Sequence, residues 1–155
     1  MDVLMFHENI EESIINLENE TKLRKLCLIN QKEKIQLKLP MSLEYLVLNS
    51  NQKLYNTNYL ENLKELEISN NNIDELFITN KNLEFLDASN NQIKNINALP
   101  ESLIELKLSN NQLSLVDFNS LENLKFAILS ENLIQKIPIF SKNIFTLVIS
   151  NNLIT

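Results

Sequence analysis

The stretch Leu63-Lys64-Glu65-Leu66-Glu67-Ile68-Ser69-Asn70-Asn71-Asn72-Ile73 decides how this chain folds. Its centre, Glu65-Leu66-Glu67-Ile68, alternates charged and apolar residues. That is the period of a strand with one wet face and one dry face. Leu66 and Ile68 therefore point into a core, and Glu65 and Glu67 point out of it. Asn71 falls where the chain must leave the strand. Its side-chain amide carries both donors and an acceptor, so it can satisfy backbone groups inside a turn. Asparagine also tolerates left-handed dihedrals, which helps a chain that contains no glycine at all. Runs such as Asn70-Asn71-Asn72 are expected to serve this role.

The same spacing recurs on both sides of the stretch. Toward the C-terminus it reappears as Leu83, Leu86, Ala88, Asn91, Ile93 and as Leu103, Leu106, Leu108, Asn111, Leu113. Two further units carry Leu124, Ala127, Leu129, Asn132, Ile134 and Ile144, Leu147, Ile149, Asn152, Ile154. Toward the N-terminus, Leu43, Leu46, Leu48 and Asn51 fit, with Leu54 one place late. Leu23, Leu26, Leu28 fit as well, with Gln31 in the asparagine slot. The slot falls at positions 31, 51, 71, 91, 111, 132 and 152, in steps of 20 with one step of 21. Chance does not hold such a register over seven units. A fixed period of this length marks a solenoid, in which each unit buries its apolar face against its neighbours.

The pattern L-x-x-L-x-L-x-x-N resembles the leucine-rich-repeat family, and the resemblance covers about residues 21–155. It implies an α/β solenoid, a right-handed horseshoe with a parallel concave β-sheet and mostly extended or 3₁₀ convex segments. The return leg of about ten residues is itself short for a full helix, and Asn97-Ala98-Leu99-Pro100-Glu101-Ser102 suggests extended or 3₁₀ backbone. Leu39-Pro40 and Leu99-Pro100 resemble the short bacterial subtype. Leu60-Glu61-Asn62-Leu63 looks more like the intracellular animal type, so the subtype stays open. Leu60, Ile78, Leu99, Phe118, Leu121 and Phe140 are expected to fill the core from the convex side.

A solenoid needs caps. Residues 1–20 are expected to form the N-terminal one. Ile10, Ile14, Ile15 and Leu17, with Glu11, Glu12 and Glu18, fit a short amphipathic helix. The alternative is a degenerate repeat, because Val3 and Phe6 lie 20 residues before Leu23 and Leu26. At the other end Thr155 follows Ile154 directly, with no evident polar cap. The chain could be part of a longer protein, its open end could meet another chain, or the end could fray. An end-to-end homodimer would bury Leu147 and Ile149.

Composition narrows the function classes. A net charge of −6 leaves no basic patch for phosphates and disfavours anionic membrane surfaces. No apolar run reaches the roughly 18 residues of a membrane-spanning helix. Val3-Leu4-Met5-Phe6 is too short for a secretory signal. The single cysteine, Cys27, points to a reducing compartment, so the chain is expected in a cytoplasm, its own cell's or a host's.

The repeat maps the outward face of the sheet column by column. One column reads Lys25, Tyr45, Glu65, Phe85, Glu105, Phe126, Thr146, and the next reads Cys27, Val47, Glu67, Asp87, Lys107, Ile128, Val148. A third reads Ile29, Asn49, Ser69, Ser89, Ser109, Ser130, Ser150. The middle is acidic, at Glu65, Glu67, Asp87 and Glu105. Tyr45, Phe85 and Phe126 project from the same face, and Val47, Ile128 and Val148 add apolar area toward the ends. Aromatic residues on a wet sheet face are enriched among interface anchors. In the resembled family the concave sheet is the usual binding surface. These residues, together with Lys107, are therefore expected to bind a protein partner with a basic centre. Solubility is the competing explanation for the acids.

Catalysis finds no foothold. A chain without glycine has no phosphate-cradling loop and no nucleophile elbow. His7 is the only histidine, and Cys27 has Lys25 nearby but no evident base. Glu67 and Asp87 form a carboxylate pair on an open sheet, where Lys107 offers Asp87 a simple cross-strand ion pair. The expected protein is a scaffold with no enzyme activity, cofactor or metal. A self-associating structural repeat and a microbial or viral effector in a host cell are the alternatives.

Overall fold

The computed structural model describes residues 2–6, 14–29, 36–49 and 56–155. His7, Ile10, Glu11, Glu12, Gln31, Asn51 and Leu54 lie outside them. The strands, in chain order, are β1 (Val3–Phe6), β2 (Ile14–Asn16), β3 (Lys25–Ile29), β4 (Gln36–Lys38), β5 (Tyr45–Asn49), β6 (Glu65–Glu67) and β7 (Glu75–Phe77). They continue as β8 (Phe85–Asp87), β9 (Asn95–Ala98), β10 (Glu105–Lys107), β11 (Asp117–Phe118), β12 (Phe126–Ile128), β13 (Ile139–Phe140) and β14 (Thr146–Val148).

One strand from each unit joins a parallel eight-stranded sheet, in the order β1-β3-β5-β6-β8-β10-β12-β14. Alternation sets its two faces. Leu46, Leu66, Leu86 and Leu106 are wholly buried, while Glu65, Glu67, Phe85 and Asp87 remain partly open to solvent. The opposite wall is built of three short parallel pairs, β2-β4, β7-β9 and β11-β13. Leu60, Ile78, Phe118 and Leu121 fill the core from this side, and Leu99 and Phe140 pack partly buried against it. No α- or 3₁₀-helix occurs among the described residues, so the convex segments are extended strands and turns rather than an α-layer.

The described part of residues 1–20 holds two short strands and a turn. Ile14–Asn16, within the stretch whose spacing fits a short helix, pairs instead with Gln36–Lys38. Val3–Phe6 pairs with β3 in the register Val3↔Lys25, Leu4↔Leu26, Met5↔Cys27, Phe6↔Leu28. Val3–Phe6 thus adds a strand to the end of the long sheet, at a step to the next strand of 22 residues rather than 20. The reason is burial. A step of 20 would set Glu8 level with Leu28, a buried position where an unpaired carboxylate is costly. The longer step turns Leu4 and Phe6 inward and leaves Val3 and Met5 exposed.

The repeated asparagine holds neighbouring units together. Asn91 Nδ2 donates to Ala88 O of its own unit at 3.0 Å and to Ile68 O of the unit before at 2.9 Å. Its Oδ1 accepts the backbone N–H of Ile73, also in the unit before, at 3.0 Å. Asn111, Asn132 and Asn152 repeat this arrangement. A second amide series runs along the turn that enters each strand. Asn62, Asn82, Asn123 and Asn143 each donate to a carbonyl of the preceding turn at 2.7–2.9 Å. In the two units with Leu-Pro, Ser42 and Ser102 instead donate to Leu23 O and Leu83 O, each at 2.6 Å.

The absence of glycine is answered just before the asparagine slot. Asn70, Asn90, Asn110 and Asn151 adopt left-handed backbone with φ of 54° to 57°. The equivalent position in one unit is Glu131, at φ 57°. A glutamate has no short side-chain amide to offset the left-handed penalty, so Glu131→Asn is expected to stabilise the fold by about 0.5–1 kcal/mol. A urea midpoint that fails to rise would contradict this reading of the turn.

Candidate functional site

The first two outward columns stand where the spacing placed them, whereas in the third Ser69 is buried. Register sets Tyr45 beside Glu65, Glu65 beside Phe85, Phe85 beside Glu105, and Glu105 beside Phe126. In the next column it sets Val47, Glu67, Asp87, Lys107, Ile128 and Val148 side by side in that order. Neighbouring strands of a sheet lie about 4.8 Å apart, so members of a column are within reach of one another. Phe126 and Val148 are exposed, and the others are half-buried.

The charges are arranged differently from expectation at one point. Lys107 does not pair with Asp87. Its Nζ lies 3.0 Å from Glu105 Oε1 on its own strand and 4.8 Å from the centre of the Phe85 ring. The aromatic face explains the choice, because it adds a cation–π attraction that Asp87 cannot offer. Asp87 Oδ1 instead accepts the Ser89 backbone N–H at 2.9 Å. Lys25 Nζ sits 5.7 Å from the Tyr45 ring centre. No ion pair among the described residues neutralises Glu65 or Glu67. Glu67 and Asp87 are like charges placed directly opposite each other, an arrangement that disfavours a sheet.

Two surface features went unread in the sequence. Along the rim, one residue before the first column, Glu44 is paired with Arg24 at 3.4 Å and with Lys64 at 2.8 Å. The Lys64 hydrogen bond holds the Glu44 carboxyl below its ordinary pKa, and Arg24 contributes further. The alternation Arg24, Glu44, Lys64, Glu84 at the 20-residue period was the available signal. At the C-terminal end of the same rim, Phe145 meets Phe126 edge-on, ring centres 6.0 Å apart, and remains 83% exposed.

Cys27 is buried although it lies in an outward column. Burial pushes its thiol pKa up, the Lys25 charge opposes this, and Glu67 adds to it. A thiol so held is a poor nucleophile. Among the described residues, no three metal-ligating side chains converge and no helix is long and apolar enough to cross a membrane.

The parallel sheet, the repeat register and the asparagine series define the class: the chain folds as a leucine-rich-repeat solenoid. It is similar to YopM from Yersinia enterocolitica WA-314, with a TM-score of 0.73 and 26% identity over 86% of this chain and 34% of that one. It is similar in fold to an internalin, InlF, from Listeria monocytogenes str. 4b F2365, with a TM-score of 0.65 and 23% identity over 90% of this chain and 51% of that one. The chain thus spans about a third of the first structure and half of the second. No family model and no curated protein matches the sequence.

Proposed function

We propose that the chain is a non-enzymatic scaffold that holds a protein partner with a basic centre against the outward face of its long sheet. Leucine-rich-repeat proteins are typically interaction modules, which supports the class of function. The observation that carries the finer reading is the half-buried carboxylates of Glu65 and Glu67. They stand among aromatic neighbours, no ion pair among the described residues meets them, and Glu67 lies beside the like charge of Asp87. Folding gains nothing from that arrangement, whereas a cation from a partner relieves it. Tyr45, Phe85 and Phe126 supply anchors, and Val47, Ile128 and Val148 supply apolar flanks. In this reading the chain works in a cytoplasm, in keeping with a lone, unpaired Cys27. Action as an effector inside a host cell is one form of the same scaffold role.

The test is a triple variant, Phe85→Ala with Glu67→Lys and Asp87→Lys. Capture of its partner from native extract is expected to fall at least about tenfold, because desolvated aromatic and charged anchors dominate interfaces. Unchanged capture by a folded variant would sink the proposal.

A further inference from the structure

The solenoid contains the same surface arrangement twice, two units apart, with two differences between the copies: Tyr45 stands where the other copy has Phe85, and Glu67 where it has Lys107. In the first copy Glu105 lies between Phe85 and Phe126 along the column, and the residue two places on is Lys107. Its ammonium occupies the arrangement, 3.0 Å from the Glu105 carboxylate and 4.8 Å from the Phe85 ring centre. In the second copy Glu65 lies between Tyr45 and Phe85, and the residue two places on is Glu67. Carboxylate and aromatic walls are retained, and the built-in cation is replaced by a second carboxylate. The first copy is thus neutral and self-filled. The second carries two negative charges that no ion pair of the described residues meets.

We propose that Tyr45, Glu65, Glu67 and Phe85 form a cradle for one cationic side chain of the partner, an arginine guanidinium or a lysine ammonium. The cradle rests on the sheet-face reading above and gives that partner's basic centre its point of contact. Lys107 is the internal precedent. It shows that a cation on this sheet binds a carboxylate and an aromatic face together. Both attractions gain strength where water is partly excluded, and Glu65 and Glu67 are half-buried. A guanidinium fits best, because its planar fork reaches two carboxylates while its face stacks on a ring. Lys25 does not fill the cradle: it approaches Tyr45 at 5.7 Å and makes no ion pair with Glu65.

The probe is N-acetyl-arginine amide, titrated into the whole chain and followed by NMR of the aromatic rings and side-chain carboxyls. N-acetyl-norleucine amide is the uncharged control. The wild-type chain is expected to show one saturable site, with shifts confined to Tyr45, Glu65, Glu67 and Phe85. Glu67→Lys installs the cation that Lys107 supplies in the other copy, and is expected to weaken the site at least fivefold. Lys107→Glu empties the other copy and is expected to add a second saturable site around Glu105. Each substitution places a residue that the other copy already carries at that position. Glu67→Gln, expected to weaken the site about twofold to fivefold, serves if Glu67→Lys does not melt like the wild type. Non-saturable shifts spread over all acidic residues would overturn the proposal, as would equal binding by the norleucine control. An unchanged site in both Glu67 variants would do the same. If the triple variant loses its partner while the arginine site is missing, the cradle fails and the sheet-face reading stands. If the arginine site is present but partner capture ignores the sheet variants, docking of the partner at this cradle is overturned.

Discussion

Asn91→Ala is expected to destabilise the chain by about 3–4 kcal/mol, far more than the loss of one surface-like polar side chain would suggest. Asn91 is 9% exposed. Its Nδ2 serves Ile68 O, Ala88 O and Ser89 O at 2.9, 3.0 and 3.2 Å, and its Oδ1 serves the Ile73 N–H at 3.0 Å. Alanine leaves these backbone groups in place, without partners and without room for the chain to rearrange. A buried unpaired group costs roughly 1–3 kcal/mol, and backbone groups of two successive units are stranded at once. Asn91→Asp is expected to be no better, because an oxygen would then face three carbonyl oxygens. Urea denaturation measures the effect, and a loss below about 1 kcal/mol would show that the amide series is ornamental.

Leu86→Ala is expected to cost about 3–4 kcal/mol, and Leu147→Ala about half of that. The two leucines occupy the same position of the repeat. Leu86 is fully buried between β6 and β10, whereas Leu147 lies in β14 at the edge of the sheet and is only partly buried. The interior substitution loses the transfer free energy of the side chain and leaves a cavity that neighbours on both sides cannot close. At the edge the removed atoms had fewer contacts, and the space opens toward solvent. Equal losses in paired denaturation curves would contradict this gradient.

The long sheet was legible because two periods coincide. Alternation within Glu65-Leu66-Glu67-Ile68 assigns the faces, and the 20-residue step stacks those faces into columns. With both in hand the neighbours of Phe85 or Asp87 follow from arithmetic, and the structure sets them side by side. The role of asparagine was legible as chemistry, a donor and acceptor at a strand exit. Which carbonyls it meets was not, since Ile68 O belongs to a different unit from Asn91.

Other features depend on three-dimensional choices that spacing leaves open. The register of β1 turns on keeping a glutamate out of a leucine position, and a search for a constant step passes over a step of 22. The convex strands are two to four residues long and exist because neighbouring return legs pair, so no local pattern announces them. Lys107 had two carboxylates within sequence reach, Asp87 across the sheet and Glu105 along its strand. The ring of Phe85 made the difference. Phe145 escaped notice because it stands one residue before the column, where the chain is still turning into the strand.

The most direct test of the interaction face is site-specific photo-crosslinking. Benzoylphenylalanine is placed at Val47 or Ser89 on the outward face, and at Asn97 or Ser120 on the opposite wall, and each chain is irradiated in native extract. The expected result is an adduct from positions 47 and 89 with one protein, through a peptide rich in lysine and arginine, and none of that adduct from 97 or 120. Crosslinks to a partner from the opposite wall alone, or from the outward face only through acidic or uncharged peptides, would contradict a scaffold that binds a basic partner on its sheet.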